Sequence, residues 1–389
     1  MKKSQTIVYI NFSPYENAGN ILNFIKKSFS RVIMFSFNFH RLDTHQPPSA
    51  LTVFEYGKNV YQTRLYQTPT SPELAFLLLP IRSGVIFLQL LFHTILLRNR
   101  FGPYDIFFTV NAFIAWCGNI LRSLGIVSKT IFWVWDYYPP YHPDRLVRFM
   151  RWLYWQFDKP ASQSANKTFF LNKRLEILRK KIGVLPQNSQ YEEIEIGTNP
   201  LQSNRKKSLS SISLVFFGVI KRSQGLDLFF DAFAINPFTI PVILHVIGGG
   251  PDLEYFKLRA KSCRAKVIFH GFVRDDNKVD EIIDMCLIGL APYPQDKSNV
   301  MYYSDPSKIK RYISRGLPVI TTDVFEFSSN IQKYTAGVII PYEKNQIIPS
   351  IKFLLKNYTT YSRNALSLAR KYSYTNLYER LFRDERKKS

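Results

Sequence analysis

Cysteine is nearly missing from this chain: Cys117, Cys263 and Cys286 are the 3 in 389 residues. Isolated in apolar surroundings, they build neither a disulfide framework nor a thiolate metal site, and a reducing cytoplasm is the expected compartment. Acidic residues are also few, 29 against 52 Lys and Arg, which leaves a net charge of +23. An excess of that size calls for anionic partners such as phosphorylated ligands, membrane surfaces or nucleic acid, and does not choose among them. Long hydrophobic runs are lacking with one exception, residues 74–97, which Arg82, Gln89 and His93 interrupt and which Pro80 and Gly84 are expected to bend. A charge at mid-membrane is costly, so a buried or surface-docked helix is expected there and not a span. The first five residues lead straight into a strand-like run at Ile7–Ile10, without the apolar segment of a secretory signal. A protein that is not secreted is the expectation.

Aromatics are abundant, 15% of the chain, and apolar residues reach 46%, which describes a folded protein with a large core. The length predicts two domains of similar size. Ile7–Ile10, the small-residue loop through Asn17, Gly19 and Asn20, the amphipathic run Ile21–Phe29 and the strand-like Val32–Phe37 read as a first βαβ unit. Ligands of such sheets bind beyond the carboxyl ends of the strands, which places Gly19 near a site, although turn chemistry alone also accounts for it. A strand over Asp105–Val110, a helix over Ala112–Leu124 and a buried strand over Thr130–Trp135 follow. The last runs into Asp136 and a proline-rich aromatic loop, so Asp136 either meets substrate or orders its own loop. Leu146–Phe157 reads as an amphipathic helix whose Arg148, Arg151, Trp152 and Trp155 either pack on a domain or lie on lipid headgroups. Lys167–Leu171 is the expected last strand of the first domain, and the polar stretch 197–211 the linker.

The alternation then restarts. Strand ends are expected at Gly218, with Lys221 and Arg222 in the loop after it, at Gly249 in a glycine turn, at Gly271 before Phe272, and at Tyr293. The chemistry gathers in 302–323, read as loop, helix, turn and buried strand. Ser304 or Asp305 is expected to cap the helix, with Pro306 in its first turn. The free N–H groups around Ser307, with the charge of Lys308, make an anion site. A capped helix with a solvated basic face is the plainer reading of the same residues.

These pieces resemble the nucleotide-sugar domain of glycosyltransferase family 4, the retaining GT-B enzymes. The likeness is carried by Phe-Phe-Gly218 to Phe233, His-Val-Ile-Gly-Gly-Gly-Pro251, Val-Ile-Phe-His-Gly271-Phe-Val, Ile-Gly-Leu-Ala-Pro-Tyr293, Ser307 to Ile320 and Ala336-Gly337-Val, in the family's order. It implies an α/β fold of GT-B type, two Rossmann-like domains facing a central cleft. Residues 1–200 would bind the acceptor, 201–368 the nucleotide sugar, and the helix in 369–389 would return to the first domain. It implies Asp136 and Lys308 as catalytic, and Gly19, Gly218, Lys221, Arg222, Gly249, Phe272, Tyr293, Asp305, Ser307 and Arg311 on the donor side with Lys308. No metal or other cofactor is implied, since a helix N-terminus and basic side chains neutralise the leaving diphosphate. The partners implied are a nucleotide-sugar donor, a glycan or lipid-linked acceptor and an anionic membrane surface, without nucleic acid. The chain departs from the family pattern at Val219 and Gln224, where many members carry Arg and Lys, and at Tyr303 and Arg311, where many carry a Glu pair. An inactive GT-B scaffold in a glycan-assembly complex is therefore the alternative to a cytoplasmic, membrane-peripheral retaining enzyme of cell-surface polysaccharide synthesis.

Overall fold

The computed structural model describes residues 5–11, 18–38, 48–68, 74, 77–135, 137–201, 210–295 and 300–386. The chain forms two compact units, one of residues 1–195 with 377–389 and one of residues 196–376. Each is a Rossmann-like α/β layer structure.

Unit 1 contains β1 (Thr6–Asn11), α1 (Ile21–Ser28), β2 (Arg31–Ser36), β3 (Ala50–Glu55), β4 (Lys58–Arg64), α2 (Leu79–Phe101) and β5 (Tyr104–Thr109). It continues with α3 (Ala112–Ser123), β6 (Val127–Val134), α4 (Arg145–Ser164), β7 (Lys167–Phe170), α5 (Lys173–Lys181) and β8 (Glu192–Glu193). The sheet order is β4-β3-β2-β1-β5-β6-β7-β8, parallel except at β2–β3 and β3–β4. The hairpin β3–β4 and the short β8 are additions to the strands expected from sequence, so Lys167–Leu171 is not the last strand: β8 pairs beyond it through Phe169 and Phe170. Core strands here are continuous apolar runs because both faces are covered.

The apolar run at 74–97 becomes α2. Pro80 stands in its first turn, where a missing N–H costs nothing, so it starts the helix and does not bend it. Ile86, Leu90, Leu97 and Phe101 at helical spacing enter the unit 1 core beside Phe35, Val53 and Phe107. The helix is long and apolar enough to cross a membrane, yet this inner face and the bond from the Tyr104 hydroxyl to the Thr94 carbonyl hold it to the sheet.

Unit 2 contains β9 (Ile212–Phe217), α6 (Leu226–Ala232), β10 (Val242–Ile247), α7 (Leu253–Ala260), β11 (Lys266–Gly271), α8 (Asp276–Asp284) and β12 (Ile288–Ala291). Then come α9 (Ser307–Ser314), β13 (Val319–Thr321), α10 (Ser328–Lys333), β14 (Gly337–Ile339), α11 (Ile347–Lys356) and α12 (Tyr358–Lys371). All six strands are parallel in the order β11-β10-β9-β12-β13-β14. Strand order therefore reverses between β9 and β12, and ligands of open α/β sheets bind at that switch point, outside the carboxyl ends. The final helices α13 (Tyr374–Leu381) and α14 (Arg383–Arg386) pack on unit 1, with Phe382 against Phe24, Phe29 and Phe108 and Lys129 bonded to Glu385.

Candidate donor site

The carboxyl edge of the unit 2 sheet is laced together by backbone. Gly218 N–H donates to the Ile247 carbonyl at 2.9 Å, Gly248 N–H to Gly271 at 2.8 Å and Ile220 N–H to Gly249 at 2.9 Å. Two glycines make this lacing practicable. Gly248 has φ +138° and a Cβ there would stand 1.9 Å from the Gly218 oxygen, while Gly218, at φ +133°, leaves room for the Lys308 side chain 3.0 Å from where its Cβ would be. A side chain at either position closes the edge.

Lys308 lies at the switch point. Its Nζ sits 4.0 Å from the Phe216 ring centre, from the end of β9, and 4.9 Å from that of Tyr293, just past β12. Among the described residues its polar contact is the Gln224 side-chain oxygen at 3.5 Å, and no carboxylate pairs with it. The residue is 7% exposed, and burial pulls its pKa down to about 7. An ammonium removed from water without an anion is an expensive arrangement. Such a group waits for a negative charge that the described residues do not supply.

The neighbouring cations are spoken for. Lys310 is 1% exposed at its side chain and bonds Asp305 at 2.6 Å, and Asp305 also accepts the Ile196 N–H at 2.5 Å. This corrects the expected capping: Pro306 occupies the N-cap of α9 without a side-chain cap, Ser304 bonds the Val300 carbonyl, and the buried Lys310 has drawn Asp305 to the backbone of 196. It also corrects the plainer reading of the two lysines as a solvated face, since both are buried. Residues two apart on a helix point to different sides, so Lys308 meets the strand ends and Lys310 the chain entering the unit. Arg311 bonds Asp280 and Asp276 at 2.8 Å, and Arg315 pairs with Asp284, so carboxylates one turn apart on α8 hold the outer side of α9.

Of the other expected donor residues, Tyr293 is buried beneath Lys308, and Gly249 and Phe272 stand together, 3.8 Å from the Gly249 Cβ position to the Phe272 Cβ, with Phe272 73% exposed. Ser307 is the exposed first residue of α9 and Lys221 is exposed in the loop after β9. Arg222 leans on Asp227 at 3.3 Å and over the Tyr255 ring. Gly19, at φ +57°, belongs to unit 1, and Asp136 lies outside the described residues. Two supporting residues were not singled out in the sequence, and a third, Gln224, figured there only as a departure from the family pattern. Tyr312 accepts the Phe217 N–H at 2.7 Å and fills the space over Gly289, Phe216 lies under the lysine, and Gln224 is its polar neighbour. Strand alternation and helical spacing held the signal for Phe216 and Tyr312; for Gln224 it was its place in the loop where many family members carry Lys.

Residues 211–357 match the family described as glycosyl transferases group 1. The matched stretch lies within unit 2 and contains all of the lacing, α9 and Lys308. Over the whole chain the fold is GT-B, two Rossmann-like units. It is similar to a sucrose-phosphate synthase from Thermosynechococcus elongatus, with TM-score 0.67, 15% identity, and 99% of this chain and 100% of that one covered. It is similar also to Anabaena HepE, solved in complex with UDP, at TM-score 0.62, 13% identity, and 98% and 99% coverage. A third is WaaG, a glycosyltransferase of lipopolysaccharide biosynthesis, at 0.59, 15%, and 97% and 98%. At such identities the likeness is one of fold. A comparison with curated proteins finds no match in sequence.

Proposed function

We propose that the protein transfers a hexosyl unit from a nucleotide diphosphate sugar to a hydroxyl of a glycan or lipid-linked acceptor, with retention and without a metal, in cell-surface polysaccharide synthesis. The observation that carries this reading is Lys308, a buried ammonium with no anionic partner among the described residues, at the switch point of a domain that matches the glycosyl transferases group 1. The diphosphate completes it. Lys308 and the N–H groups at the start of α9 would hold the phosphate oxygens, Lys221 would add charge from the loop, and the exposed Phe272 ring beside Gly249 would carry the base. The bond from C1 to the diphosphate oxygen breaks as the acceptor oxygen forms its bond on the same face, and the acceptor proton leaves with the departing phosphate. Catalysis of this kind rests on position and on stabilising developing negative charge. Asp136 is proposed to orient the acceptor hydroxyl, and Gly19 to let the first loop of unit 1 approach the diphosphate.

The test is a thermal-shift panel of nucleotide diphosphate sugars with and without EDTA, followed by a turnover assay. Uridine donors head the panel because the similar Anabaena protein was solved with UDP and with UDP-glucose. At a ligand concentration of about 100 Kd the expected stabilisation is about 2.7 kcal/mol, unchanged by EDTA. Absence of any shift in a cooperatively melting protein refutes the donor site. Binding without turnover supports the scaffold alternative, for which Tyr303 and Arg311 in place of acidic residues are the relevant positions.

The lysine also fixes a pH dependence. The folded chain releases this proton near pH 7 whereas the unfolded chain keeps it to about 10.5, so between those values this group makes the free protein more stable as pH rises. Bound diphosphate takes the proton back. Donor affinity is therefore expected to weaken above pH 7, by up to about tenfold per pH unit, in calorimetric titrations. The slope attributable to the lysine should vanish in Lys308→Met, and its persistence there would assign it to another group.

A further inference from the structure

In unit 1 three helices lie side by side, α3 in the middle. Phe87 of α2 meets Trp116 of α3 at 5.8 Å between ring centres, and Trp116 meets Phe157 of α4 at 5.1 Å. The Asn119 amide of α3 donates to the Ala161 carbonyl of α4 at 3.2 Å.

The outward side of α2 is apolar. Ile81, Leu88, Phe92, Ile95 and Leu96, spaced along one face, are each more than half exposed, while the opposite face is bound into the core. An exposed apolar face of this length belongs against a partner or lipid, and only 22% of the apolar window of α2 is buried. The neighbouring α4 shows a different stripe: Arg145, Arg148, Phe149, Trp152, Gln156 and Lys159, all exposed and three or four residues apart apart from the adjacent Arg148 and Phe149. Cations flank a pair of aromatics there.

The charge pattern identifies what covers these faces. Across α2, α3 and α4 the single carboxylate is Asp158, and it is fully buried against Arg179 at 3.1 Å. Arg98, Arg100, Arg145, Arg148 and Lys159 are exposed on the same helices. These three helices are therefore nearly one-signed, and the exposed carboxylate next to them in sequence is Asp144, the N-cap of α4. In unit 2, by contrast, α8 alone carries Asp276, Asp280, Glu281 and Asp284.

We propose that the outer faces of α2 and α4 form a docking surface for an anionic lipid bilayer, with the apolar stripe of α2 among the acyl chains and the Arg and Trp stripe of α4 at the phosphates. A surface on which cations outnumber carboxylates lets phosphates approach, with the exposed Asp144 already engaged by the Val147 N–H, and indole and guanidinium groups suit the headgroup depth. The inner face of α2 stays in the core, so the helix lies along the leaflet; at about 1.5 Å per residue its 23 residues give a contact about 34 Å long. Neither charge nor apolar area alone is enough for firm attachment, and this layer offers both. The inference is independent of the donor site.

Co-sedimentation of the full chain with vesicles of phosphatidylcholine, and with vesicles in which about a third of the lipid is phosphatidylglycerol, tests it. The protein is expected to sediment with the anionic vesicles and stay behind with the neutral ones. Leu88→Glu with Phe92→Glu, and separately Arg145→Glu with Arg148→Glu, are each expected to lower the bound fraction at limiting lipid by about tenfold or more. All four positions are exposed, so a cooperative melt close to that of the parent is required of both variants. Failure of the parent chain to bind anionic vesicles overturns the proposal, as does undiminished binding by either variant. Light scattering that shows a dimer abolished by Leu88→Glu with Phe92→Glu, in a chain that ignores vesicles, would assign the face to a second copy instead.

Discussion

Replacing Lys308 by Ala or Met is expected to lower turnover at least about a hundredfold while leaving the melting temperature of the free protein unchanged or raised. A preorganised cation at a departing anion contributes on that scale, and the loss should appear in kcat as well as in donor binding. The stability half of this expectation separates function from structure. A lysine that held the fold together would destabilise the protein when removed. Lys308, 7% exposed and touching rings and one amide oxygen, holds a charge that the folded state pays to keep, so a methionine of similar length in its place relieves desolvation. Assays of kcat with saturating donor, together with melts with and without nucleotide, decide it. Full turnover in Lys308→Met would remove the lysine from the mechanism; a large fall in melting temperature would make it structural.

Lys310, two residues further on, is expected to behave in the opposite way. Its ammonium bonds Asp305 at 2.6 Å and the Ile196 carbonyl at 2.5 Å, and Asp305 in turn accepts the Ile196 N–H. The Lys310 carbonyl accepts the Thr198 hydroxyl at 3.1 Å, so the first residues of unit 2 are fastened to α9 by one buried cluster. Lys310→Met leaves the Asp305 carboxylate, 3% exposed, without its cation. Removing one member of a buried pair costs about 3–5 kcal/mol. For a unit of this size that corresponds to a fall of roughly 6–20 °C in melting temperature. Lys310→Met combined with Asp305→Asn, which keeps an acceptor for the Ile196 N–H, is expected to recover most of the loss. A single variant that melts with the parent would show that the pair is solvated and not the anchor of 196.

The contrast between these lysines shows where sequence reading stops. Asp305-Pro-Ser-Lys-Ile-Lys announces a helix entry with positive charge, and helical spacing says that Lys308 and Lys310 face different ways. Which of them is neutralised depends on a carboxylate and on the backbone of residue 196, more than a hundred positions earlier in the chain. The same applies to Arg311. The family pattern marks its position as a donor contact, and only the packing of α8 against α9 brings Asp276 and Asp280 to its guanidinium.

Elsewhere the sequence determined a good deal by itself. Val242–Ile247 reads as a strand because its apolar run is bounded by a proline and by three glycines, and β10 has those limits. The glycine at 316 ends α9 as its place in the pattern requires, at φ +71°. Two alternating α/β runs, joined by a polar stretch, announce two Rossmann-like units, since period and punctuation are local properties of the chain. The hairpin β3–β4 was illegible for a local reason too: its turn is Tyr56-Gly57, with Tyr56 at φ +48°, where the usual asparagine or aspartate signal is missing. Tertiary structure alone decided the rest: that one side of an apolar helix is core and the other surface, that among the described residues Lys310 meets a carboxylate and Lys308 an amide oxygen, and that the switch point falls at Phe216, Tyr293 and Lys308. Burial and pairing are properties of what lies across a contact, and residues far apart in sequence supply it.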